Sequence, residues 1–186
     1  MEPYFVTSNK HKLAEMRQIL GMKMRSANIE VGEIQSIHAE EVALDKAMRA
    51  FATLKKPVIV EDTALYINAL NGFPGALVKF MELSLGSNGI CRLMRQYSDR
   101  RATAETCIVL YDGKKIKKFI GSVAGTISNK VRGSSGFGFD TIFIPAGYSR
   151  TFAEMGTEEK NKISHRMKAA VMLRSYLATH SSVPKD

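Results

Sequence analysis

Two adjacent carboxylates, Glu61 and Asp62, followed by the Thr63 hydroxyl, close a short apolar run that begins at Pro57. A run that short and apolar reads as a buried strand, and it delivers its acids to the carboxyl edge of a sheet, where open α/β folds place ligands. The chain carries 27 Lys and Arg against 18 Asp and Glu, so an aimed acid pair calls for a cation to hold or a water to deprotonate. The plainer alternative is a strand end at which Asp62 or Thr63 caps the next helix. A third carboxylate, Glu33, would by itself be an ordinary solvated group. In company with Asp62 it can hold Mg2+, which binds through one or two carboxylates plus substrate phosphates.

Three more segments bear on an anionic ligand. Thr7-Ser8-Asn9-Lys10-His11-Lys12 lies between an apolar strand and a helix, where free N–H groups, small polar side chains and two lysines make an anion site. It lacks the glycines of a Walker loop or a dinucleotide fingerprint, and an ordinary capped helix start explains it equally well. Ser134 to Asp140 interleaves glycines with Phe137 and Phe139, rings on which a base can stack or which can pack into the core. Glu159 to Arg166 reads as a basic polar face on the last helix.

The elements that must position these residues alternate. Tyr4 to Thr7 reads as a strand, and Leu13, Met16 and Leu20 recur at helical spacing until Gly21. Met24 to Ile37 is expected to cross the sheet again, and Ala43, Ala47, Ala50, Phe51 and Leu54 mark one face of the long helix that carries Lys46. Val58 to Val60 is the next strand. Turn residues from Asn71 to Gly75 precede helical patterning over Ala76–Leu85 and Ile90–Tyr97, interrupted at Gly86-Ser87-Asn88-Gly89. Ala102 to Ile127 reads as a hairpin with a two-residue turn at Asp112-Gly113, Thr141 to Ile144 as a strand, and a final helix begins near Thr157. This order predicts an α/β fold: an elongated mixed β-sheet flanked by helices, with two lobes around a central cleft, one domain over 1–186 with the hairpin lobe near 100–130.

Composition narrows the function classes. At 186 residues the chain can bury roughly 70% of its unfolded surface without staples. Cys91 and Cys107 lack metal-knuckle spacing and read as reduced, buried thiols. No apolar run approaches the ~20 residues of a membrane span and no basic leader precedes the first strand, so the expectation is a cytoplasmic protein without a membrane partner. The net charge of +9 favours anionic partners. The cluster Lys114, Lys115, Lys117 and Lys118 is read as a solvated hairpin arm, because no aromatic residues interleave to stack bases.

In this order the segments resemble the inosine triphosphate pyrophosphatase family, the nonstandard purine NTP pyrophosphatases or XTP/dITP diphosphatases, over nearly the whole chain. The most specific parts are Glu61-Asp62-Thr63 with Ala69 to Gly75, Gly136 to Asp140, and Glu159-Lys160-Asn161 followed by Ser164-His165-Arg166. Ser8, Ala64 and Thr141 stand where the family usually has glycine, glycine and proline. The resemblance implies a homodimer and Mg2+-dependent hydrolysis of a nucleoside triphosphate between the α and β phosphates. It places the triphosphate on Thr7, Ser8, Asn9, Lys10, His11, Lys12, Lys46, Thr63 and Lys160. It gives the metal to Glu33 and Asp62, with Asp62 also the general base, and the purine to Phe137, Gly138, Phe139, Asp140, His165 and Arg166. Arg, being only a donor, favours a 6-keto oxygen over adenine's amino group but does not exclude GTP. Two other readings stand beside it: a related pyrophosphatase for modified pyrimidines or methylated nucleotides, and a nucleic-acid-binding module.

Overall fold

The apolar run after Pro57 does not stop at its acids. It forms the strand β3 (Val58–Ile67), buried along nearly its whole length, in a computed structural model that describes residues 2–22 and 24–180. The sheet runs β2 (Arg25–Ala27), β1 (Tyr4–Val6), β3, β5 (Arg101–Tyr111), β6 (Ile116–Ile127), β7 (Phe143–Pro145), with β4 (Pro74–Gly75) paired to β3. β1 is parallel to β2 and β3, and every other pairing is antiparallel. The expected mixed sheet is therefore present, but Glu61, Asp62 and Thr63 sit in mid-strand and cap no helix.

How β3 is paired decides where a cleft can open. On one edge β5 accompanies it from Val58 to Ile67. On the other, β1 pairs with Val58 and Ile59 and β4 with Leu65 and Tyr66, so Val60–Ala64 pair there with neither strand. The two acids lie in this gap. Strand alternation then divides them, because successive side chains leave a strand on opposite faces.

Among the described residues five helices cover the sheet: α1 (Lys10–Leu20), α2 (Ala39–Leu54), α3 (Val78–Leu93), α4 (Phe152–Ile163) and α5 (His165–His180). Asn9 caps α1 by accepting from the N–H groups of His11 and Lys12, and Gly21 ends it in the left-handed conformation. The small residues Ala39, Ala43, Ala47 and Ala50 let α2 lie against Val58, Val60 and Ala64. Met16, Leu20, Ala169, Ala170 and Leu173 pack α1 and α5 on Phe5, Ile59 and Ile108 of the opposite face. Beyond the gap a third core joins Leu65 and Ile67 to Met81, Ile90, Phe143 and Phe152. The cleft lies between this third core and the other two.

Several boundaries differ from the sequence reading. Only Arg25–Ala27 of the expected second crossing is a strand, since the rest of that stretch lacks the unbroken alternation a ladder needs. The helical patterning after Gly75 is interrupted at Gly86, as expected, with φ of 63° and ψ of 167° that are not helical. The hairpin turns through Asp112 to Lys115 rather than two residues, with Asp112 Oδ1 accepting from the N–H groups of Lys114 and Lys115. Thr151 caps α4 in a reciprocal pair with Glu154, but Gly156, with φ of 74° and ψ of 170°, breaks it, so that a helical segment does start at Thr157. Gly138–Thr141 is a 3-10 turn, and the last strand starts only at Phe143.

Candidate functional site

Alternation along β3 sends Asp62 toward the α2 side, where Val60 and Ala64 also point, and Glu61 toward Arg166 at the start of α5. The helix break at Ser164 makes the second placement possible. The basic polar face expected over Glu159 to Arg166 is therefore not one face: the helix breaks at Ser164, and the Lys160 and Arg166 side chains are both buried. Gly121 completes it. A Cβ there would sit 2.2 Å from the carbonyl oxygen of His165, so only glycine lets α5 begin this close to β6.

The Arg166 guanidinium donates to both Glu61 oxygens at 2.7–3.0 Å, to Thr63 Oγ1 at 3.1 Å and to Glu15. Lys160 Nζ donates to Glu15 Oε1 at 2.8 Å and Asp140 Oδ2 at 2.6 Å, and Lys12 Nζ lies 3.3 Å from Glu61. Three cations and three carboxylates thus alternate through the interior, each compensated by its neighbours. Burial alone would raise the Glu61 carboxyl, but Arg166 and Lys12 overcome that and hold it at about 2. His165, fully buried beside the cations Arg166, Lys160 and Lys12, is pushed well below the usual histidine range and is neutral.

Asp62 has the opposite environment. Its Oδ2 is buried without a hydrogen-bond partner among the described residues, and burial raises the carboxyl to about 6 although Lys12 and Lys46 pull it down. Glu33 comes from the irregular stretch before α2 and is ion-paired with Lys46. That stretch is pinned where Ala76 N–H donates to the Ile37 carbonyl at 2.9 Å, and Gly75 makes room for it: with φ at 58°, a Cβ would lie 2.1 Å from that oxygen.

A cavity of about 360 Å3 joins these groups. Thr7, Ser8, Asn9, His11, Lys12, Glu33, Lys46, Asp62 and Thr63 line one end, and Phe137, Gly138, Phe139, Asp140, Lys160, His165 and Arg166 the other. Lys10 is exposed on the first turn of α1 and does not line it. The two aromatic residues divide: Phe139 is 6% exposed in the core, whereas Phe137 stacks on His11 at 5.2 Å between centroids and carries Lys160 Nζ 4.8 Å above its ring. Lys160, neutralised by Glu15 and Asp140, therefore belongs with the aromatic end and not with the lysines expected around a triphosphate. A wider open groove of about 1040 Å3 lies where β5 begins and β6 ends, but Arg100 and Arg101 there are tied to carbonyls and to Asp99.

Two site residues escaped the sequence reading. Glu15 follows the helix start and sits beside Met16 on the buried side of α1, and Glu82 completes the inward stripe Val78, Met81, Glu82 of α3 at i, i+3, i+4 spacing. An acid on an apolar stripe was the available signal.

The fold and this cleft define a class: a mixed α/β protein whose central strand opens onto paired acids and lysines suited to an anionic ligand. The chain belongs to the Ham1 family, whose model matches residues 3–176. It is 42% identical to a dITP/XTP pyrophosphatase of Hyperthermus butylicus, over 92% of each chain. It is 41% identical to an inosine triphosphate pyrophosphatase of Yarrowia lipolytica over the full length of both. Among solved structures, a HAM1 protein from Coxiella burnetii superposes with a TM-score of 0.82 at 28% identity, covering 96% of this chain and all of that one.

Proposed function

We propose that this protein hydrolyses nonstandard purine nucleoside triphosphates, ITP, dITP and XTP, to the monophosphate and pyrophosphate, removing them from the nucleotide pool. The printed activities of the relatives support the reading. The observation that carries it is Asp62, whose buried, unpartnered oxygen faces a cleft shared with Lys12, Lys46 and Glu33.

Glu33 and Asp62 fit Mg2+, since an orphaned carboxylate oxygen wants a cation and two acids leave the remaining positions to phosphate and water. When bound, the ion would neutralise charge developing on the phosphates. Asp62 accepts a proton from the attacking water as the new P–O bond forms and the bond to pyrophosphate breaks. Lys12, Lys46, Thr63 and the N–H groups around Asn9 hold the triphosphate, and the aligned lysines stabilise the departing charge. Phe137, Asp140 and His165 surround the base. Of the five N–H groups of Arg166, its bonds to Glu61, Glu15 and Thr63 leave one on Nη1 for a 6-keto oxygen. The chain acts as a cytoplasmic homodimer of single-domain subunits.

Incubation with ITP, dITP, XTP, GTP and ATP plus Mg2+, with pyrophosphate assayed apart from orthophosphate, tests the reading. Pyrophosphate release from the first three, with ATP spared, is the expected result. Orthophosphate alone, or ATP consumed as fast as ITP, overturns it.

A further inference from the structure

At the aromatic end of the cleft nearly every buried polar group is satisfied within the protein. Asp140 Oδ2 takes the Lys160 ammonium and the Phe137 N–H, and Glu15 takes Lys160 and Arg166. Among the described residues lining this end, His165 Nδ1 and Glu82 Oε1 are the exceptions, and Glu82 is the one that can be ionised, since His165 is held neutral. Glu82 projects from α3 into the cleft, and its Oε1 is buried with no hydrogen-bond partner among the described residues. Its carboxyl lies against Gly138: an ideal Cβ there would be 3.2 and 3.5 Å from its two oxygens. Asp140 is the charge that bears on it. Its contact with Gly138 and its neighbour Asp140 place the group at the base end of the cleft.

Leaving a carboxyl oxygen dry and unpaired is costly, and such a group is retained where a ligand completes it. We propose that Glu82 is a specificity-determining residue that accepts a hydrogen bond from the N1–H of a 6-oxopurine, an inference that rests on the nucleotide reading of the cleft. Hypoxanthine and xanthine both present that donor. Adenine presents a lone pair at N1, so above about pH 7, where Glu82 is ionised, acceptor would face acceptor and the site would be left unpaired. Glu82 therefore adds a reading of N1 to the selection of the 6-keto oxygen by Arg166, and together they recognise the lactam edge. Guanine shares that edge, so Glu82 does not reject it.

The test compares wild type, Glu82→Ala and Glu82→Gln on ITP, dITP and the triphosphate of purine riboside, which lacks both the 6-oxygen and the N1 proton. The expected result is a loss of ~10-fold or more in kcat/KM for ITP and dITP in the alanine variant. The loss for the purine riboside compound should be at least about fivefold smaller, and glutamine, which keeps an acceptor oxygen, should restore much of the ITP activity. Equal losses on all three substrates, a loss confined to ITP, which would place Glu82 on the ribose 2′-hydroxyl, or no loss on any overturns the proposal. Failure of the wild type to release pyrophosphate from ITP would instead remove the nucleotide reading itself.

Discussion

Replacing Asp62 by Asn should make the metal-free protein more stable at neutral pH. The Asp62 residue is 8% exposed, and burial raises its carboxyl from the ordinary 3.8 to about 6. A raised acid binds its proton more tightly folded than unfolded, so its ionisation weakens the fold. The penalty is fully present above about pH 6, fades as pH falls, and is gone below 3.8. A displacement of about two units at about 1.4 kcal/mol each gives an upper limit near 3 kcal/mol. Asn keeps the shape and removes the charge, so a gain of about 1–3 kcal/mol is expected, or about 3–10 °C in Tm for a chain of this length. Urea denaturation with a chelator at pH 7.5 and at pH 4 measures it, the difference between variant and wild type cancelling every other titration. The gain should be present at pH 7.5 and mostly lost at pH 4. Added Mg2+ should stabilise the wild type and leave the variant nearly unmoved. A variant no more stable at pH 7.5, or a gain independent of pH, refutes the reasoning.

The same substitution should lower turnover by ~100-fold or more, read as pyrophosphate release, since it removes the general base. Glu61→Gln should destabilise by about 3–5 kcal/mol in chemical denaturation, because it strands Arg166 without its principal counter-charge. With Glu61 held at about 2 against an ordinary 4.5, its contribution is fully present above 4.5 and lost as pH falls toward 2, so the variant should show a flatter acid limb. Gly75→Ala, which sets a Cβ 2.1 Å from the Ile37 carbonyl, should shift the stretch bearing Glu33 and raise the Mg2+ concentration needed for half-maximal turnover, measured by titration. Lys46→Ala should raise KM for every triphosphate about equally, because a phosphate contact does not read the base.

Much of this molecule was legible in the chain. Helix faces and the succession of elements along the chain follow from local periodicity: Ala43, Ala47 and Ala50 recur at helical spacing whatever surrounds them, and Asn9 and Gly21 bound α1 by backbone chemistry alone. The candidate groups were visible as polar or glycine-rich interruptions, and of those expected at the site only Lys10 does not line the cleft. Glu82 was hidden because the i, i+3, i+4 stripe that carries it looks like ordinary core until Gly138 comes to rest against it.

By itself, then, the sequence determined the element types, the charge and the set of candidate groups, because these depend on contacts a few residues apart. Only the tertiary structure decided their roles. The gap along β3 exists because β1 and β4, far apart in the chain, pair with its two ends and leave Val60–Ala64 open between them. Strand alternation across that gap then gives Glu61 to Arg166, compensated and inert, and leaves the neighbouring Asp62 buried, with its Oδ2 unpartnered among the described residues. Two carboxylates adjacent in sequence become different chemical groups because desolvation and counter-charge are properties of the surroundings.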